Sequence, residues 1–111
     1  MRGDAERLAD MLEAAEKIER QALLGRARFD RDEIVQLALV HLVQIIGEAA
    51  ARVSGELRAK HPEIPWSQIV GMRNRVVHGY FEVDLDVLWT VVNSGVPQLR
   101  KQLSGIVTSE T

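Results

Sequence analysis

The run Met72-Arg73-Asn74-Arg75-Val76-Val77-His78-Gly79-Tyr80-Phe81 gathers two guanidiniums, an imidazole and a phenol. Each group has a use on a phosphodiester. Arg presents a planar fork of donors that matches phosphate oxygens, His exchanges a proton near neutral pH, and Tyr donates to an oxyanion or stacks on a base. Breaking a phosphate ester by acid–base chemistry needs one group to take a proton from the attacking oxygen, another to protonate the leaving oxygen, and donors to hold the developing charge. One chain offers a single histidine in this cluster, so a twofold axis supplying a second His78 and a second Arg73 would complete the set. On a continuous helix at about 100° per residue, Arg73 and Tyr80 differ by roughly 20° and Arg75 and His78 by roughly 60°, but Arg73 and His78 by roughly 140°. Arg73 and His78 therefore converge only through the reach of Arg, a distortion near Gly79, or a contribution from another subunit.

The elements that must position this cluster read as helices. Leu8, Met11, Leu12, Ala15, Ile18, Ala22 and Leu23 recur at spacings of three and four, with Gly3-Asp4 to start the helix and Gly25 to end it. Asp30 followed by Glu33 resembles a capping box, which predicts a second helix from about Arg31 to about Arg58. Its apolar positions cover nearly the whole circumference, so it must be wrapped by its own chain or by a second copy. His61-Pro62-Glu63-Ile64-Pro65 is a loop, because each proline restricts its predecessor and withholds a donor. A third helix is expected from Trp66 to about His78, with Gly79 as terminator, and a fourth after the cap Asp84, interrupted at Ser94-Gly95-Val96-Pro97. No alternating strand pattern is visible, and the tail after Ile106 looks frayed. The expected fold is all-α, an up-and-down bundle of four main helices with one of them broken or with an extra short helix, in a single domain over residues 1–111.

Composition narrows the function classes. Apolar residues at 46% and charged residues at 27% of 111 are globular values. Fourteen Lys and Arg against 16 Asp and Glu give a net charge of -2, so any polyanion site must be local or built by assembly. The count of 0 cysteines excludes disulfides, thiolate metal sites and a cysteine nucleophile. The segment MRGDAERLAD is charged from Arg2 onward, unlike a signal peptide, and Ile34–Ala51 is interrupted by Gln36, His41, Gln44 and Glu48, unlike a membrane span. A cytoplasmic protein without a membrane partner is the expectation.

Arg73, four residues, His78, one residue and Tyr80 spell R-x4-H-x-Y, and with them the sequence resembles the HepT-like ribonuclease toxins of the HEPN superfamily. Further segments are similar to that family in the same order. They are Ile45-Ile46-Gly47-Glu48-Ala49-Ala50, Ile64-Pro65-Trp66, Gly71 to Arg75, His78 to Phe81, Val83-Asp84-Leu85 and Trp89. The resemblance, over roughly residues 5 to 105, implies a helical-bundle endoribonuclease that needs no metal or other cofactor and works as a homodimer around a shared cleft. It also implies a cognate minimal nucleotidyltransferase antitoxin that transfers AMP to the motif tyrosine. Carried onto this chain, Arg73 would hold the scissile phosphate, His78 would move protons, and Tyr80 would be a cleft residue and the AMP acceptor. Asn74 and Arg75 would support them.

Glu48, on an otherwise apolar helix, is expected either to pair with an arginine or to orient Arg73. His41 reads as a core or interface histidine, His61 as surface, and Trp66 and Trp89 as packing residues. The alternative function is a non-catalytic dimeric helical module that binds a nucleotidyltransferase partner or RNA without cutting.

Overall fold

A computed structural model describes residues 3–78 and 82–110; Gly79 and Tyr80 therefore lie outside the described residues. Helix α1 (Asp4–Ala22) lies against α3 (Glu33–Ala51) and α8 (Val96–Glu110), and the short α2 (Arg26–Asp30) links the first two. Next come α4 (Gly55–Lys60), α5 (Trp66–Val70), α6 (Met72–Val76), β1 (Val77–His78), β2 (Glu82–Val83) and α7 (Leu85–Thr90). A π-helical turn at Val91–Gly95 joins α7 to α8. The architecture is an all-α bundle, as expected.

The core follows the apolar spacing. Leu8, Met11 and Ile18 of α1 meet Leu39, Val43 and Ile46 of α3 and Val96 and Leu103 of α8, all fully buried. Each such side chain contributes about 1.5–3 kcal/mol by leaving water. Trp66 and Trp89 pack as expected: the Trp66 indole donates to the His61 carbonyl at 3.0 Å, and Trp89 tilts against Phe29 at 5.2 Å. Arg26 bridges Asp30 and Asp86 at 2.8 and 2.6 Å and lies over both rings, tying α2 to α7.

Several boundaries differ from the sequence expectation. The cap of α3 is Asp32, whose carboxylate accepts from the Val35 amide at 3.1 Å, not Asp30. The long helix does not run to Arg58 but stops at Ala51, because Ser54 is extended and caps α4 through its hydroxyl, which accepts from the Leu57 amide at 3.1 Å. Ser54 is held from 50 residues away: its amide and hydroxyl donate to Asp4 at 2.9 and 2.6 Å, which keeps the Asp4 carboxyl below its ordinary value of 3.8. Trp66 to His78 is not one helix either. It breaks at Gly71 and ends at Val76, where the chain turns extended and pairs antiparallel with β2, two short strands that the sequence pattern did not announce. Helix α8 runs past the buried Ile106 to Glu110.

Helix α3 is long and apolar enough to cross a membrane by length and composition, yet one side of it is core. The other side is uncovered: Ile34 is 74% and Leu37 45% exposed, and His41 and Glu48 lie on the same outer stripe. His41 is accordingly not a core histidine, and α3 is wrapped by its own chain on one side only.

Candidate functional site

Helix α6 is five residues long and anchored by its ends. Met72 and Val76, four apart, are buried, so Arg73, Asn74 and Arg75 between them are exposed. What fixes its place is a close approach of α5 to α3 at Gly47. A Cβ at that position would lie 3.2 Å from the carbonyl oxygens of both Ile69 and Val70. The end of α5 thus rests on the bare backbone of α3, and Arg73 follows directly.

Arg73 lines a groove of about 420 Å³ with Gln44, Gly47, Glu48, Ala51, Arg52 and Val70. Of the two roles expected of Glu48, pairing with an arginine is not seen among the described residues, while its place beside Arg73 in this groove is. Glu48 is exposed, its carboxylate accepts from the Gln44 amide at 3.0 Å, and Arg52 donates to its backbone carbonyl at 3.1 Å rather than to its side chain. No ion pair joins Glu48 to Arg73 among the described residues.

His78 leaves the helix before the 140° separation from Arg73 can apply. It sits in β1 opposite Glu82, with its side chain 58% exposed. The next turn of chain is held by Asp84 in three ways. Its amide donates to the Val76 carbonyl at 2.7 Å, one carboxylate oxygen accepts from the Val87 amide at 3.1 Å to cap α7, and the other lies 3.9 Å from His78 Nε2. Sequence reasoning found the cap but missed this second function. A carboxylate six residues after the histidine, at a helix-cap position, is the signal that could have revealed it.

Arg75 departs from the other motif residues. On α6 it points roughly 200° away from Arg73, into a different pocket between α5–α6 and α8. Asn74 is exposed and its backbone N–H donates to the Gly71 carbonyl at 3.1 Å. His61, half-buried, lies 3.5 Å from Glu63, away from these groups. Among the described residues no three His, Asp or Glu side chains cluster as cation ligands.

The chain is a small helical bundle that displays an arginine in a groove and an imidazole 3.9 Å from a carboxylate, both open to solvent, groups whose chemistry suits a phosphodiester. The match of residues 11–106 to the model of the family described as Ribonuclease HepT-like makes the class specific, and the chain belongs to that family. Its relatives include a protein of Methanocaldococcus jannaschii with a provisional RNase name, 34% identical over 97 residues that cover 86% of this chain and 89% of the relative. A similarly named protein of Caldanaerobacter subterraneus subsp. tengcongensis is 36% identical over 93 residues, 84% of this chain and 83% of the relative. The probable ribonuclease HepT of Thermococcus cleftensis is 35% identical over 95 residues, 86% of this chain and 84% of the relative. No solved structure matches the chain. At the level of the family, this is an RNA-cleaving enzyme.

Proposed function

We propose that the chain is the RNA-cleaving toxin of a two-component toxin–antitoxin system in the cytoplasm, acting as a homodimer through Arg73, His78 and Tyr80. The observation that carries this is the outer stripe of α3. Its N-terminal half is apolar and uncovered at Ile34 and Leu37, and its C-terminal half, Gln44 and Glu48, forms a wall of the Arg73 groove. A second copy laid along that stripe covers the apolar half and brings a second polar half into the same cleft. Two copies supply two imidazoles. One His78 takes the proton of the 2′-hydroxyl as its oxygen attacks phosphorus, and the second gives a proton to the departing 5′-oxygen. Arg73 holds the equatorial oxygens of the phosphorane, and Asp84 orients His78.

The products are then a 2′,3′-cyclic phosphate and a free 5′-hydroxyl. Silencing follows from charge: an AMP placed on Tyr80 by a nucleotidyltransferase antitoxin sets a phosphate and an adenosine in the cleft, against the RNA backbone. The test is a cleavage assay on tRNA and on generic single-stranded RNA in EDTA, with product ends mapped. Wild type is expected to cut and leave cyclic phosphate, while His78→Ala and protein fully AMPylated at Tyr80 are expected to be inert yet folded and dimeric. Inert, unmodified wild type would instead favour a binding module without catalysis.

A further inference from the structure

Arg75 is the motif residue that the cleft does not absorb, and the pocket it borders has a character of its own. The floor is apolar, made by Ile69 and Met72 on one wall and Val91 and Leu99 on the other. The rim is polar: Gln68 on α5 and Gln98 on α8, both exposed, line it together with the exposed Glu63, whose backbone carbonyl accepts from Gln102 at 3.4 Å. The volume, about 290 Å³, sits at the small end of the roughly 300–1,000 Å³ of small-molecule sites, which suits one ring system rather than a whole coenzyme. One side of its mouth is the π-helical turn Val91–Gly95, a distortion that often marks a functional site.

We infer that this pocket is a nucleobase subsite for the RNA strand, which seats a base beside the scissile phosphate while Arg75 takes a neighbouring phosphate. The ring system lies on the apolar floor. A primary amide offers a donor and an acceptor side by side, which is the pattern that the edge of a base presents, so Gln68 and Gln98 read its identity. The location fits a single strand, whose unstacked bases can be splayed into pockets. Helix α6 is the partition between the two sites: Arg73 faces the cleavage groove, Arg75 faces the base pocket, and a strand crossing the exposed middle of α6, Arg73 to Arg75, reaches both. The inference rests on the ribonuclease reading for its substrate, but it predicts binding that does not require cleavage.

The experiment therefore has two arms. In the first, the full-length protein is titrated with the 3′-monophosphates of adenosine, guanosine, cytidine and uridine, with inorganic phosphate as control, following the side-chain amides of Gln68 and Gln98 and the Met72 methyl by NMR. At least one nucleotide is expected to shift all three probes and to bind about tenfold more tightly than the weakest. Gln68→Ala/Gln98→Ala, a surface change that leaves the core intact, is expected to erase that discrimination. In the second arm, oligonucleotides varied at the bases flanking the cut are cleaved by wild type with about tenfold preference, and the double variant cuts the preferred sequence no faster than the others. Unmoved Gln68 and Gln98 amides with every nucleotide, or a double variant that keeps the wild-type preference, would overturn the subsite while leaving a cutting enzyme intact. Nucleotide binding in the pocket by a wild type that cuts no RNA would sink the ribonuclease proposal and leave the subsite standing.

Discussion

The long helices and the motif segment are held by different means. α1, α3 and α8 meet through a broad set of buried apolar side chains, among them Met11, Ile18, Val43, Ile46, Val96 and Leu103. The segment from α5 to β2 has a few anchors: the bare backbone at Gly47, the buried ends of α6, and the bonds of Asp84. Stability is therefore distributed over the scaffold, while the geometry of the site hangs on single atoms. Mutations should separate the two.

The largest stability effect belongs to the scaffold. Leu103→Ala opens a cavity beneath α1 and should cost about 2–5 kcal/mol in denaturant unfolding, with cleavage per folded molecule retained. Gly47→Ala should cost less, about 1–3 kcal/mol, because the new methyl forces α5 back by a few tenths of an ångström. It should nonetheless lower cleavage per folded molecule more than Leu103→Ala does, since Arg73 moves with α5; equal activities would erase the contrast. At Asp84 the two functions can be split. Asp84→Ala loses the cap and about 1 kcal/mol, whereas Asp84→Asn keeps a capping acceptor and most of the stability but removes the charge facing His78. A fall in cleavage shared by both variants would assign that charge to catalysis; full activity in Asp84→Asn would confine Asp84 to capping.

The smallest effect is the Asp4–Ser54 link. Because hydrogen bonds from Ser54 hold the folded Asp4 pKa below 3.8, the stability they contribute is complete above that pH and is lost as the pH falls through the lowered folded value. At a solvated site the contribution is less than about 1 kcal/mol. Acid titration of Asp4→Asn should show a shallower loss of stability than wild type below pH 3.8.

The same division explains what could be read from the sequence. The α1 stripe, the Asp84 cap and the break before Pro97 are local, and spacing or backbone chemistry alone reveals them. The end of α3 is not local, since Ser54 is fixed by Asp4 across 50 residues. Nor is the path at His78, where pairing with β2 outweighs the helical continuation that Val76 and Val77 suggest. Both alternatives for His41, core or interface, and for Glu48, an arginine partner or a residue beside Arg73, stayed open because a nearly all-apolar helix hides which side faces out. The motif residues were legible by type and order, but Arg73 and Arg75 divide between two sites only once α6 is seen as a wall.

The uncovered stripe of α3 also bears on dosage. On the proposed homodimer, a cleft completed by a second copy would make the number of working sites rise with the square of the chain concentration while the protein is dilute. Halving the free chain would then quarter the cutting, so under the same proposal a modest excess of antitoxin would suppress cleavage more than in proportion to the chain it removes.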